Sequence, residues 1–183
     1  MTYYIAQGIG IVAMAMNIFS YQMKSKKGII AMQFFGTMLF SVSFFMLGAI
    51  TGGFLNFIGM LRSALFLCDG KINAKHPVWF VMLEASYMVS YILAFLVFGK
   101  EPTAVNFVLE FLPIVGMTAT TVSFRMSEGR HIRALGLVSS PSWLIYNIFN
   151  RALGGSICEI VSLVSIVVGI MRYDVKRKNE VEN

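Results

Sequence analysis

The chain has 183 residues, of which 57% are hydrophobic and only 13% charged, and its formal net charge is +6. Its mean hydropathy of +0.72 sets it apart from soluble domains, in which roughly 45–50% of residues are apolar and about 25% charged. Seven membrane helices of about 20 residues each would use most of this length and leave only short connections. A soluble domain, a disordered chain, a disulfide scaffold and a soluble nucleic-acid binder are therefore excluded.

Seven apolar runs follow in chain order. Span one, 3–21, has no basic leader segment and no small-residue cleavage site, which separates it from a secretion signal. Span two, 29–47, follows the break Lys24-Ser25-Lys26-Lys27-Gly28, and span three is 53–67. The break Asp69-Gly70-Lys71 leads to span four, 78–98, and Gly99-Lys100-Glu101-Pro102 leads to span five, 104–124. Span six, 132–149, comes after Ser127-Glu128-Gly129-Arg130, and span seven is 153–171. Cys68 and Cys158 lie in separate apolar stretches without the spaced partners a disulfide framework or metal cluster needs, so they are expected to be buried apolar side chains. No metal or cofactor is expected.

Loop cations predict the orientation, because cytoplasmic loops retain Lys and Arg. The first, third and fifth loops carry three, two and three cations, and the C-terminal tail carries four. The alternate loops hold only Lys100 and Arg151, while Arg62 falls inside span three. This partition places the N-terminus outside and the C-terminus in the cytoplasm.

A weak internal repeat runs through the spans. At a constant offset of 103, Ile11, Val12 and Met14 match Ile114, Val115 and Met117. The same register pairs Ser20 with Ser123, Met23 with Met126, Ile29 with Ile132, Ala31 with Ala134, Ala49 with Ala152, and Gly52 with Gly155. It superimposes spans one to three on spans five to seven and leaves span four over. Three helices per repeat plus one linker give both repeats the same membrane orientation, the parallel arrangement of one transporter class. The expected fold is all-α: residues 1–70 and 104–173 as two triple-helix repeats, 71–103 as the linker helix and 174–183 as a basic cytoplasmic tail.

This 3+1+3 plan resembles the SWEET and PQ-loop transporters. Ser20-Tyr21-Gln22-Met23-Lys24-Ser25-Lys26 is similar to their S-P-Q…K-S stretch, with Tyr21 in the place of the proline. Nearly the whole chain resembles the bacterial inner-membrane YgjV family. The matching stretches are Ala6-Gln7-Gly8, the run from Glu110 to Gly116 (E-F-L-P-I-V-G), and Gly154-Gly155-Ser156-Ile157-Cys158-Glu159. That resemblance implies a multi-pass protein of the bacterial inner membrane.

Polar groups within spans must find a partner or line a cavity. Span six is the richest, with Ser139, Ser140, Pro141, Ser142, Trp143, Tyr146, Asn147 and Asn150. Trp143, Asn147 and Asn150 recur at i, i+4 and i+7 on one helical face, an aromatic platform beside carboxamides that suits a hydroxylated or zwitterionic solute. Asn56 and Glu159 are equivalent in the repeat, and the SWEET resemblance implies a paired polar residue at the substrate site there. Asn56, Trp143, Asn147 and Glu159 are therefore the candidate substrate-binding residues. Glu84, Tyr87 and Tyr91 share a face of span four and are expected to be satisfied by neighbouring helices. Gln7 and Asn17 lie near one face of span one with no partner indicated.

Depth counting at 1.5 Å per residue brings Arg62 and Glu84 to one level and predicts an ion pair. Glu110 and Glu159 share a level on the other side with Arg151 just above. Two carboxylates beside a single cation cannot both ionise freely, so a proton shared between them is expected, with two structural charge layers as the alternative. No zincin, serine-hydrolase or phosphate-loop motif is present and the two histidines fall in loops, so no catalytic residue and no enzyme are expected. The leading reading is a SWEET-like transporter of a small polar solute held between the repeats. The rival is a non-transporting structural or interaction membrane protein. The expected partners are the lipid bilayer and the solute, with a homo-oligomer left open.

Overall fold

The breaks between the apolar runs become turns because their residues favour caps and tight bends. His76 accepts a hydrogen bond from the Val78 amide at 3.3 Å ahead of Pro77, a first-turn proline whose missing N–H costs nothing there. Thr103 caps the fifth helix through the Asn106 amide at 3.2 Å. The resulting computed structural model describes residues 2–46, 50–97, 99–149 and 153–175. Its helices are α1 (Thr2–Ser20), α2 (Lys26–Met46), α3 (Ile50–Leu67), α4 (Pro77–Leu96), α5 (Ala104–Arg125), α6 (Gly129–Phe149) and α7 (Leu153–Gly169). A π-helical turn, Ile170–Val175, extends α7.

Five stretches are long and apolar enough to cross a membrane: Thr2–Ser20, Lys26–Met46, Pro77–Leu96, Ala104–Arg125 and Gly155–Asp174. The apolar part of α3, Gly52–Leu67, is shorter. Helix α6 is more polar, with Arg130, His131 and Arg133 in its first turns and three serines at its centre. Pro113 and Pro141 lie inside α5 and α6 without ending them; within a bundle, neighbouring groups can satisfy the backbone that a proline frees.

Helices α1, α2 and α3 pack in sequence order with α2 in the middle, and α5, α6 and α7 do the same around α6. Helix α4 packs on α3 and α5. The two groups meet where α1 touches α7, α3 touches α5 and α2 touches α6.

One end of the bundle is tied together. A buried cluster of Ile29, Ile30, Phe66, Ala74, Phe124 and Ile132 gathers the start of α2, the end of α3 with its following loop, the end of α5 and the start of α6. The lysines and arginines of these turns make this the basic end. Across it, Lys26 donates to the Met126 carbonyl at 2.5 Å and Arg133 to the Met23 carbonyl at 3.2 Å. Gln22 donates to the carbonyl and hydroxyl of Ser165 at 2.8 and 3.0 Å, and that hydroxyl donates to the Ile18 carbonyl at 2.8 Å. Arg133, only 2% exposed, also grips both oxygens of Asp174 at 2.9 and 2.5 Å.

Arg133 thus joins the α1–α2 turn, α6 and the end of α7. Breaking a buried ion pair from one side costs about 3–5 kcal/mol, whereas an exposed pair such as Arg130–Glu128 contributes little. Arg133→Ala should lower the thermal unfolding midpoint of the purified protein by several degrees, while Arg130→Ala leaves it nearly unchanged. Equal shifts would contradict this view of the basic end.

Candidate functional site

A cavity of about 270 Å³ lies between the two helix groups. That is just below the roughly 300–1,000 Å³ usual for drug-sized ligands, so it fits a small solute. Helix α1 contributes Gln7, Met14, Asn17 and the adjoining Tyr21, and α2 contributes Gln33, Thr37, Phe40 and Phe44. Asn56 and Arg62 face it from α3, and Met117 and Thr120 from α5. The far wall is Ser139, Ser140, Trp143 and Asn147 of α6 with Cys158, Glu159 and Ser162 of α7. Asn56, Trp143, Asn147 and Glu159, the four candidate binding residues, all line this one cavity.

Close backbone packing sets the two side chains on α6. A Cβ at Gly116 would stand 2.9 Å from the Trp143 indole, and one at Gly155 would stand 2.7 Å from the Asn147 amide. Trp143 therefore rests on α5, and Asn147 on α7. Asn56 donates to the Gly52 carbonyl of its own helix at 2.9 Å. Glu159 interacts with the Ser140 hydroxyl, which Tyr21 also approaches.

The charges are arranged differently from the depth count. Arg62 does not pair with Glu84. Its guanidinium donates to the Met117 carbonyl at 3.3 Å and to the Tyr87 hydroxyl at 3.5 Å, and lies 5.1 Å from the centre of the Phe124 ring. Tyr87 in turn donates to Thr121 at 3.0 Å, since the Thr121 hydroxyl is itself committed to the Met117 carbonyl at 2.9 Å. Glu84 instead accepts from Thr118 at 2.6 Å, and its other oxygen is buried with no partner. Equal depth did not produce a pair because α4 turns Glu84, Tyr87 and Tyr91 all toward α5; Tyr91 donates to the Phe107 carbonyl at 3.2 Å.

Glu110 and Glu159 have different partners. Glu110 pairs with Lys100 at 2.8 Å and hydrogen-bonds Tyr146. The left-handed turn at Gly99, φ +67°, folds the α4–α5 loop so that Lys100 reaches over the start of α5. Glu110 is thereby held outside the cavity lining, and Glu159 lines it without the other carboxylate. Asn150, Arg151 and the tail beyond residue 175 lie outside the described residues.

A model of a family of bacterial inner membrane proteins, Imp-YgjV, matches residues 4–177. The chain belongs to this family. The inner membrane protein YgjV of Escherichia coli (strain K12) is 22% identical over 171 residues, covering 93% of this chain and 85% of that protein. No solved structure matches the chain.

In this YgjV-family chain, Gln7 and Asn17 face the cavity beside the four candidates. The α2 wall was not foreseen. Applying the offset of 103 to Ser140, Trp143 and Asn147 would have led to Thr37, Phe40 and Phe44, all three of which line the cavity. An added methyl at Gly116 must displace the indole, whereas Gly8 has nothing within 4 Å. In a Trp79→Phe background that leaves Trp143 as the sole tryptophan, Gly116→Ala should shift its fluorescence emission and its quenching by acrylamide, and Gly8→Ala should change neither. An unmoved spectrum in Gly116→Ala would contradict the placement of Trp143.

Proposed function

We propose that this inner membrane protein is a transporter of a small polar solute, built as two parallel triple-helix repeats joined by α4. The observation that carries the reading is the symmetry of the cavity wall. Six pairs of lining residues are related by the offset of 103: Met14 with Met117, Asn17 with Thr120, Thr37 with Ser140, Phe40 with Trp143, Phe44 with Asn147, and Asn56 with Glu159. A cavity at a pseudo-twofold interface is where parallel-repeat transporters hold their substrate.

The helix contacts support the same reading. Exchanging α1, α2 and α3 with α5, α6 and α7 turns the α1–α7 contact into the α5–α3 contact and leaves α2–α6 unchanged. The SWEET-like plan accounts for α4 as the element outside this exchange. The cation partition supports a cytoplasmic basic end. On that orientation, the hydrogen bonds across the basic end close the cytoplasmic side of the site, and Gln7, Phe44 and Asn147 lie toward its periplasmic side.

Cys158 is a native probe of the cavity, whereas Cys68 is exposed elsewhere. In a Cys68→Ser background, a small impermeant methanethiosulfonate should modify Cys158 in intact cells, and a cysteine at Ser25, with Cys158 also replaced by serine, should react only after lysis. Proteoliposomes should take up at least one solute from a labelled mixture of polar metabolites, and this uptake should stop once Cys158 is modified. Absence of protein-dependent uptake of any solute would overturn the transport reading; the reverse labelling pattern would overturn the orientation.

A further inference from the structure

We infer that the solute is a small zwitterion, whose carboxylate docks on Arg62 and whose ammonium group docks on Glu159. This assignment rests on the transport site proposed above and names its substrate class.

Both charged side chains line the same cavity, and neither is neutralised by an opposite charge among the described residues. Arg62 is only 4% exposed. Its hydrogen bonds to Met117 and Tyr87 are long, at 3.3 and 3.5 Å, and its Nε is buried without a partner. Glu159 has the Ser140 hydroxyl for company. A charge inside a span is costly unless it is paired, so a guanidinium and a carboxyl kept apart in one cavity are both set to meet groups of complementary charge.

The two lie at different depths. Asn56 is the repeat equivalent of Glu159, and Arg62 follows it by six residues in α3, a rise of about 9 Å. The positive group therefore sits toward the basic end and the negative group farther out, with Tyr21 close enough to interact with both. The Trp143 ring offers an ammonium group a second favourable surface. A simple anion would satisfy Arg62 and be repelled by Glu159, a simple cation would meet the reverse, and a polyol would leave both charges uncompensated. A zwitterion of the right length satisfies both.

Binding to the full-length protein in lipid nanodiscs, followed by calorimetry and thermal unfolding, tests this. The probes are glycine, β-alanine and 4-aminobutyrate, set against butyrate, butylamine and butane-1,4-diol, which lack one or both charges. At least one zwitterion should bind more tightly than every comparison compound. Glu159→Gln should weaken it by about tenfold or more, the scale of a lost charged hydrogen bond, while improving binding of butyrate. Arg62→Lys, which keeps the charge, should retain the preference for zwitterions.

A mono-ion or the diol binding better than all three zwitterions, or no binding by any probe, overturns the assignment and leaves the transport reading standing. So does a zwitterion whose affinity is unchanged in a folded Glu159→Gln protein. If a zwitterion binds as expected but never crosses proteoliposomes containing the protein, the transport reading fails and the binding assignment survives.

Discussion

Arg62 carries a full charge within a helix packed into an apolar bundle, and the structure around it follows from how that charge is accommodated. Hydrocarbon offers a guanidinium nothing, so it must find protein groups or a wet cavity. Here it finds some of each. It donates to the Met117 carbonyl of α5 and to Tyr87 of α4, and Tyr87 passes the bond on to Thr121 of α5. One hydrogen-bonded chain thereby joins the first helix group, the connecting helix and the second group. Arg62 also lines the cavity.

The same constraint explains where the two groups hold together. Within each group, helices pack along their lengths; between the groups, contacts are fewer and, among the described residues, most hydrogen bonds lie at the basic end. Two of these bonds are reciprocal. The carbonyls of Met23 and Met126, 103 residues apart in the sequence, accept from Arg133 and Lys26 of the opposite group. Bodies that are well packed inside and joined by polar ties at one end suit the rigid rocking of repeats about a midplane site. In the proposed transporter, these ties must break for the solute to leave through the basic end.

Helix number and boundaries were legible in the sequence because long apolar runs punctuated by Lys, Gly and Pro admit little else. The cavity residues were legible in part. Asn56, Trp143, Asn147 and Glu159 are polar or amphipathic groups in spans, and such groups collect where water or solute can reach them. Phe40 and Phe44 were hidden because aromatic residues in an apolar helix look like any lipid-facing side chain; only their register with Trp143 and Asn147 distinguishes them. The ion pairs were the least legible. Depth along a helix can be counted, but rotation about its axis cannot, and rotation sends Glu84 toward Thr118 and leaves Arg62 to Met117 and Tyr87. Lys100 reached Glu110 through a loop bend at Gly99, which no depth count describes.

Transport as proposed requires the basic end to open as the cavity delivers its solute. Gln22 and Ser165 bridge that end, with a side-chain separation of 3.0 Å. A double variant, Gln22→Cys and Ser165→Cys with both native cysteines replaced by serine, allows the two groups to be locked by oxidation. Uptake into proteoliposomes should be lost in the oxidised protein and regained on reduction, with solute binding from the periplasmic side retained throughout. Undiminished uptake by fully cross-linked protein would contradict the account.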